Sequence, residues 1–91
     1  MELRWTEAAA DDLEHIADYL FEHTPGHAQR IVRTIYDAPT KLLQFPALGR
    51  PGRVIGTREL VLTGLPYLVV YVHSGQFIYI ARILHGAQKW P

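Results

Sequence analysis

Hydrophobic positions along this chain follow one period in its first half and another in its second. Ala9, Leu13, Ile16, Ala17 and Leu20 recur at helical spacing, and Asp11, Asp12, Glu14 and Asp18 fall between them. That pattern makes one apolar stripe on an otherwise solvated cylinder and predicts a helix from Glu7 to His23. Thr6 stands where a capping hydroxyl is wanted, and Glu7 brings negative charge to the positive end of the helix dipole. A second stripe, Ala28, Ile31, Val32 and Ile35, follows the punctuation Thr24-Pro25-Gly26, with Thr24 as cap and Pro25 at the first helical position. Leu42 and Leu43 would prolong this stripe, but Pro39 intervenes. A proline inside a helix costs about 3 kcal/mol, so a kink or break is expected near Tyr36 to Ala38. Two helices joined by so short a turn pack as an antiparallel hairpin.

After the loop from Phe45 to Arg53 the period becomes two. Strands are expected at Thr57–Leu62, Pro66–His73 and Gln76–Leu84, with Thr63-Gly64-Leu65 and Ser74-Gly75 as the turns between them. Glu2–Trp5, with Leu3 and Trp5 on one face, reads as a first strand. The fold class is therefore α+β: an N-terminal strand, an antiparallel helical hairpin, then a three-stranded antiparallel meander, as one domain over residues 1–91.

Pro66–His73 is the densest apolar run. Leu68, Val70 and Val72 make one face and Tyr67, Val69 and Tyr71 the other, so the strand should be central and covered on both sides. Two helices cover one face of a four-stranded sheet. Soluble monomers seldom leave more than roughly a few hundred Å² of contiguous apolar surface open. The second face, with Tyr67, Val69 and Tyr71 or their alternates, or the adjoining helix–sheet groove, is thus the expected seat of a partner segment, an amphipathic helix or an added strand.

Composition narrows the chemistry. With 91 residues the chain holds one core. Lacking cysteine, it has neither a disulfide framework nor a thiolate nucleophile. The first twenty residues carry Glu2, Glu7, Asp11, Asp12, Glu14 and Asp18, unlike a secretory leader, and no run has membrane-spanning length, so the expected home is the cytoplasm. Net charge is zero, but it is unevenly laid out. Met1 to Asp37 holds three basic and eight acidic residues, a balance of minus five, and Ala38 to Pro91 holds six basic and one acidic, plus five. Either the halves neutralise each other across the fold, or the basic half faces something anionic.

The basic half contributes the candidate contact residues Arg50, Arg53, Arg58, Arg82, His85 and Lys89, with Trp90 beside them. Arg82 falls in line with Ile78, Ile80 and Leu84, where a guanidinium needs a partner or a groove. Arg82 and His85 are three apart, so on a regular strand they point to opposite faces. His23 and His27 are four apart, but Thr24-Pro25-Gly26 breaks the helix that would align them as metal ligands. No phosphate loop, dinucleotide fingerprint or serine-nucleophile elbow occurs, and no metal or cofactor is expected.

The segments WTEAAADDLEHIADYL, FPALGRPG, RELVLTGLPYLVVY and ARILHGAQKWP, in this order over essentially the whole chain, resemble the RelE/ParE toxin superfamily of type II toxin–antitoxin systems. FPALGRPG and RILHGAQKWP are similar to its ParE-type branch. The resemblance implies a toxin neutralised by a cognate antitoxin. It also implies one of two targets: DNA gyrase, inhibited by contact in ParE-type members, or messenger RNA, cut on the ribosome by RelE-type members. For the second, Arg58 and Arg82 would hold phosphate and His85 would act as acid or base. RelE-type members resemble a dense lysine and arginine cluster with a C-terminal tyrosine. Here Lys41 and Lys89 are the only lysines and no tyrosine follows Tyr79. The residues thus favour the gyrase-inhibiting reading, and a degenerate or purely regulatory binder is the third possibility.

Overall fold

The first strand, β1 (Glu2–Trp5), lies at one edge of the sheet in a computed structural model that describes all residues 1–91. Two helices follow, α1 (Glu7–His23) and α2 (Pro25–Asp37). At the entry to α1, the Thr6 hydroxyl accepts from the amide of Ala9 at 3.1 Å and donates to the carbonyl of Ile80 at 2.8 Å. One side chain therefore both caps the helix and ties it to the last strand. Thr24 does not cap α2 through its side chain as expected. Its hydroxyl donates back to the carbonyl of Leu20 at 3.2 Å, finishing α1 instead. The second helix ends at Asp37, and Ala38–Leu43 tightens into a 3₁₀ turn with Pro39 at its start. This is the break that Pro39 predicts, and the turn still delivers Leu42 fully buried to the core.

The loop from Phe45 to Arg53 is not wholly irregular, because Arg50–Pro51 forms a two-residue strand, β2. The three expected strands come next, each within one residue of the sequence reading: β3 (Arg58–Val61), β4 (Tyr67–Ser74) and β5 (Phe77–His85). The tight connection is Gly75-Gln76, not Ser74-Gly75, and Gly75 takes the left-handed φ of 56° that such a turn requires. Since β2 pairs with β3, the sheet has five strands rather than four. Their order is β1-β5-β4-β3-β2, with β1 parallel to β5 and every other pair antiparallel.

A bulge in β5 decides which residues face the helices. Tyr71 lies opposite Ile80 and Val70 opposite Arg82, which leaves Ala81 unpaired. Up to the bulge the inward residues are Ile78 and Ile80. Past it, Ile83 takes that role, opposite Val69. Tyr67, Val69 and Tyr71 lie on this inward side, packed with Ala9, Ile35, Leu42 and Leu60. The expectation that they form a bare face awaiting a partner is therefore corrected. They are the sheet's half of the hydrophobic core, and Val69 and Tyr71 are fully buried.

The opposite face is not bare either. Register pairs Leu68 with Leu84, Val70 with Arg82, and Glu59 with both Val70 and Arg50. Val70, Leu84 and Glu59 are all buried within the single chain. After β5 the chain doubles back, with the amide of Gly86 donating to the carbonyl of Pro66 at 2.7 Å. Trp90 comes to line a narrow cleft with Leu68 and Leu84, and Arg53 holds the Trp90 carbonyl at 3.3 Å. The terminal segment thus covers the Leu68–Leu84 end of this face, while Val61 and Tyr79, opposite Leu68 and Val72, stay 52% and 38% exposed.

Candidate functional site

The largest open feature is a groove of about 570 Å³ between the helical hairpin and the start of β4. His15, Ile16, Tyr19 and Leu20 of α1 form one wall, and Leu65, Pro66, Tyr67 and His85 form the other. Ile16 and Leu20 belong to the core-facing stripe of α1, while Tyr19 sits at the stripe's edge, where neither neighbour covers it. It stacks instead on His23, ring centroids 4.2 Å apart. Across the groove the His85 ring meets Tyr67 edge-on at 5.8 Å, and its Nδ1 accepts from the amide of Ala87 at 3.1 Å. A neutral His85 therefore carries its proton on Nε2. Burial, and the neighbouring Tyr19 phenol second, push the Tyr67 hydroxyl above its ordinary value of 10.0, so Tyr67 stays a neutral phenol.

This is the helix–sheet groove expected from sequence, but Tyr67 is the only one of the three expected partner residues that lines it. His15, Tyr19 and Leu65 join it without having stood out in the chain. Their signal is faint: a tyrosine and a histidine flanking the α1 stripe, and a leucine inside a glycine turn.

The basic residues do not form one cluster. Arg82 donates from Nε to Asp12 Oδ2 at 2.7 Å and from Nη2 to Asp12 Oδ1 at 3.0 Å, a two-pronged pair with α1. Asp12 Oδ2 also accepts from the amide of Ile83 at 2.9 Å. That amide lies beyond the end of β1, which pairs with β5 only as far as Ile80. Asp12 therefore stands in for the missing strand. The hydrogen bond to Asp12 raises the Arg82 pKa above its ordinary value, burial opposing it. The partner that the sequence position of Arg82 demands is therefore Asp12, and the arginine side chain stays 36% exposed.

Arg58 is likewise engaged, not with an acidic residue but with backbone. Its Nη1 donates to the carbonyl of Gly49 at 2.7 Å and closes the Pro46–Gly49 loop over the sheet. Tyr71 completes that closure, its hydroxyl donating to Pro46 O at 2.7 Å and accepting from Gly49 N at 2.8 Å. Arg50 pairs with Glu59 at 3.0 Å. Arg50, Arg53 and Trp90 do converge on the narrow cleft, and Lys89 is exposed next to it. His85 remains apart from Arg82. Their register partners Tyr67 and Val70 are three apart on β4, so the two side chains leave opposite faces of the sheet, as the spacing predicts. His23 and His27 bond separately, to the Tyr19 carbonyl and toward Arg30, and no three His, Asp or Glu side chains gather as a metal site.

Known proteins match this architecture along its length. The profile of the family described as the ParE toxin of the type II toxin–antitoxin system parDE matches residues 3–90. The toxin Y4kP of Sinorhizobium fredii is 40% identical over 89 residues, 98% of this chain and 92% of that protein. Toxin RelE2 of Caulobacter vibrioides is 34% identical over 84 residues, 92% of this chain and 93% of its own. Among solved structures, a chromosomal ParDE toxin–antitoxin system from P. aeruginosa superposes with a TM-score of 0.83 at 34% identity, covering 91% of this chain and 92% of that one.

Proposed function

This chain belongs to the ParE toxin family of type II toxin–antitoxin systems, and from that premise we propose that it acts by contact, binding and inhibiting DNA gyrase, rather than by cutting RNA. One observation carries the reading. The two arginines that phosphate chemistry would need, Arg58 and Arg82, are each consumed by an internal acceptor, and His85 leaves the sheet on the other side from Arg82. Ribonucleolytic cleavage needs an acid or base and a cation within reach of one phosphate. Contact inhibition needs only a complementary surface. Lys89 and Trp90 of the terminal segment, with Arg53 and with an Arg50 that stays 61% exposed beside its Glu59 partner, supply a basic, aromatic-bearing one, with His85 at its border.

Family membership implies an antitoxin partner. In this reading an amphipathic antitoxin helix inserts apolar side chains between Tyr19 and Tyr67, the open apolar groove being the part of the molecule its own chain leaves unfilled. No helix is long and apolar enough to cross a membrane, and both partners proposed here are expected in the cytoplasm.

The deciding experiment is a supercoiling assay with purified gyrase and toxin, with and without antitoxin. Inhibition at stoichiometric toxin, relieved by antitoxin and weakened by Arg53→Glu or Lys89→Glu, is expected. Untouched supercoiling at excess toxin, together with cleavage of messenger RNA on translating ribosomes that Arg82→Ala and His85→Ala abolish, would install the RelE-like nuclease reading instead.

A further inference from the structure

The loop that joins β2 to β3 ends in an apolar tip. Val54 and Ile55 sit there side by side, and Ile55 is fully exposed, whereas the next most open large apolar side chain, Tyr19, reaches 58%. Single apolar residues on a surface are ordinary, but they are seldom braced to stand out from it. Here the backbone does that. The Thr57 amide donates to the Val54 carbonyl at 3.0 Å, the Thr57 hydroxyl to the same oxygen at 2.6 Å, and the Gly52 amide to the Thr57 carbonyl at 2.8 Å. Gly56 takes a left-handed φ of 90°, so the chain reverses directly after Ile55. At the base of the loop Gly52 lies so close to the Thr57 side chain that no Cβ would fit between them, while a Cβ on Gly56 would meet nothing within 4 Å. The tip is thus fixed from below and free above. Seating it against another surface forfeits little conformational freedom, the condition under which an exposed aliphatic side chain binds best.

Charge says what kind of surface that is. Glu59 is the only acidic residue between Ala38 and Pro91, and its side chain is 9% exposed and paired with Arg50. Arg53 adjoins Val54 and holds the Trp90 carbonyl at 3.3 Å, which fastens the tip to the terminal segment and makes it continuous with the basic surface of Arg50, Lys89 and Trp90. An aliphatic tip beside cations fits an apolar pocket with an acidic rim, and such a pocket belongs to a folded protein. Nucleic acid fits less well: net charge is zero, and the tip offers neither a stacking ring nor a hydrogen-bonding side chain for a base.

We infer that the Val54–Ile55 tip is the part of the toxin that enters its target. Ile55 seats in an apolar pocket of a protein, and Arg53 meets acidic side chains at the pocket's rim. This rests on the reading that the toxin acts by contact. It is independent of the antitoxin groove, which lies between α1 and the start of β4.

Variants at position 55 of the full chain test this in two assays, growth arrest on expression without antitoxin and inhibition of purified gyrase. Ile55→Ser and Ile55→Asp should relieve growth arrest and raise the toxin concentration for half inhibition about tenfold to a hundredfold, the range that burial of an isoleucine side chain corresponds to. Ile55→Leu should retain more activity than either, and Ile55→Lys more than Ile55→Asp, because the rim is acidic. Melting temperature and antitoxin affinity should stay at the parent's values, since the side chain stands clear of the fold. An Ile55→Asp toxin that inhibits gyrase and arrests growth like the parent overturns the inference and leaves gyrase as the target. A parent that arrests growth without touching gyrase, its arrest abolished by Ile55→Asp, refutes gyrase and keeps the tip as the contact. Ile55→Lys weaker than Ile55→Asp overturns the acidic rim. A parent that shifts bare duplex DNA through Ile55 but does not bind DNA-free gyrase overturns the protein pocket in favour of a wedge between base pairs. Lost antitoxin binding in a fully stable Ile55→Asp variant overturns the inference by giving the tip to the antitoxin.

Discussion

Removing either partner of the Arg82–Asp12 pair should destabilise the fold, and unequally. Asp12→Ala deletes two charge-assisted hydrogen bonds, at 2.7 and 3.0 Å, and also strips the Ile83 amide of its only acceptor at the end of the β1–β5 ladder. Arg82→Ala deletes the same two bonds, but Asp12 keeps the Ile83 amide and gains water. Hydrogen bonds to charged groups contribute about 1.5–3 kcal/mol when well shielded. Here the side chains are 36% and 17% exposed, so solvent screening lowers that figure. We expect about 1 kcal/mol from Arg82→Ala, and about 2–3 kcal/mol from Asp12→Ala once an unpaired amide is added. A domain of this size shifts by about 4–8 °C per kcal/mol, which gives losses of about 4–8 °C and about 8–24 °C in Tm. The double variant should melt within about 0.5 kcal/mol of Asp12→Ala alone, because Arg82 has no other acceptor to lose. Thermal melts followed by circular dichroism measure all three, and a supercoiling assay run well below the lower Tm asks whether folded Arg82→Ala still inhibits gyrase. An Arg82→Ala variant that melts like the parent yet no longer inhibits would refute the assignment of Arg82 to the scaffold and return it to the target surface.

The Pro46–Gly49 closure and the groove tyrosine give further tests. A Cβ on Gly49 would lie 2.6 Å from Tyr71 Cε1 and 2.9 Å from the Glu59 carbonyl, so Gly49→Ala should cost about 2 kcal/mol or more in a chemical denaturation series. Tyr71→Phe, which keeps the ring but abandons the Pro46 carbonyl and the Gly49 amide, should cost about 1–2 kcal/mol. Base should also unfold the protein. The Tyr67 phenol has a folded pKa raised above 10.0, so its contribution is intact below the unfolded value and is lost as pH rises through the folded one. Arg82, also raised, follows the same sign at still higher pH. Stability measured between about pH 9 and 11 should therefore fall, and Tyr67→Phe should flatten that fall; a parent and variant with parallel profiles would show that burial of the Tyr67 hydroxyl has no such effect.

Local patterns carried most of the fold because they are statements about single elements. The three-and-four spacing from Ala9 to Leu20 and the unbroken apolar run from Tyr67 to Val72 are each legible without knowing what covers them, and both elements form within one residue of where the pattern puts them. Pro39 ended α2 because no neighbour can supply the missing amide. The failures share a cause as well. A one-residue bulge at Ala81 changes the phase of β5, so Ile83 rather than Arg82 or Leu84 continues the inward row, and alternation carried through from Ile78 misassigns every residue beyond the bulge. Arg50–Pro51 is too short, and too proline-marked, to show a period of its own, and it becomes a strand only because β3 offers it an edge.

The site was less legible still. Which face of β4 meets the helices is invisible in a run that is apolar on both, and that choice placed Tyr67, Val69 and Tyr71 in the core. That Gly86–Trp90 folds back over the second face depends on contacts with Pro66 and Arg53, far away in sequence. The division of charge between the halves reports nothing of pairing: Asp12 meets Arg82 across seventy residues, while Glu59 takes Arg50 within the basic half. Periodicity and proline chemistry act within a few residues, so the sequence alone determined every element but β2, their order, the ParE-like family resemblance and the amphipathic hairpin. Burial and pairing act through space, so only the tertiary structure decided which cations hold the fold together, which stay available to another molecule, and where its open apolar surfaces lie.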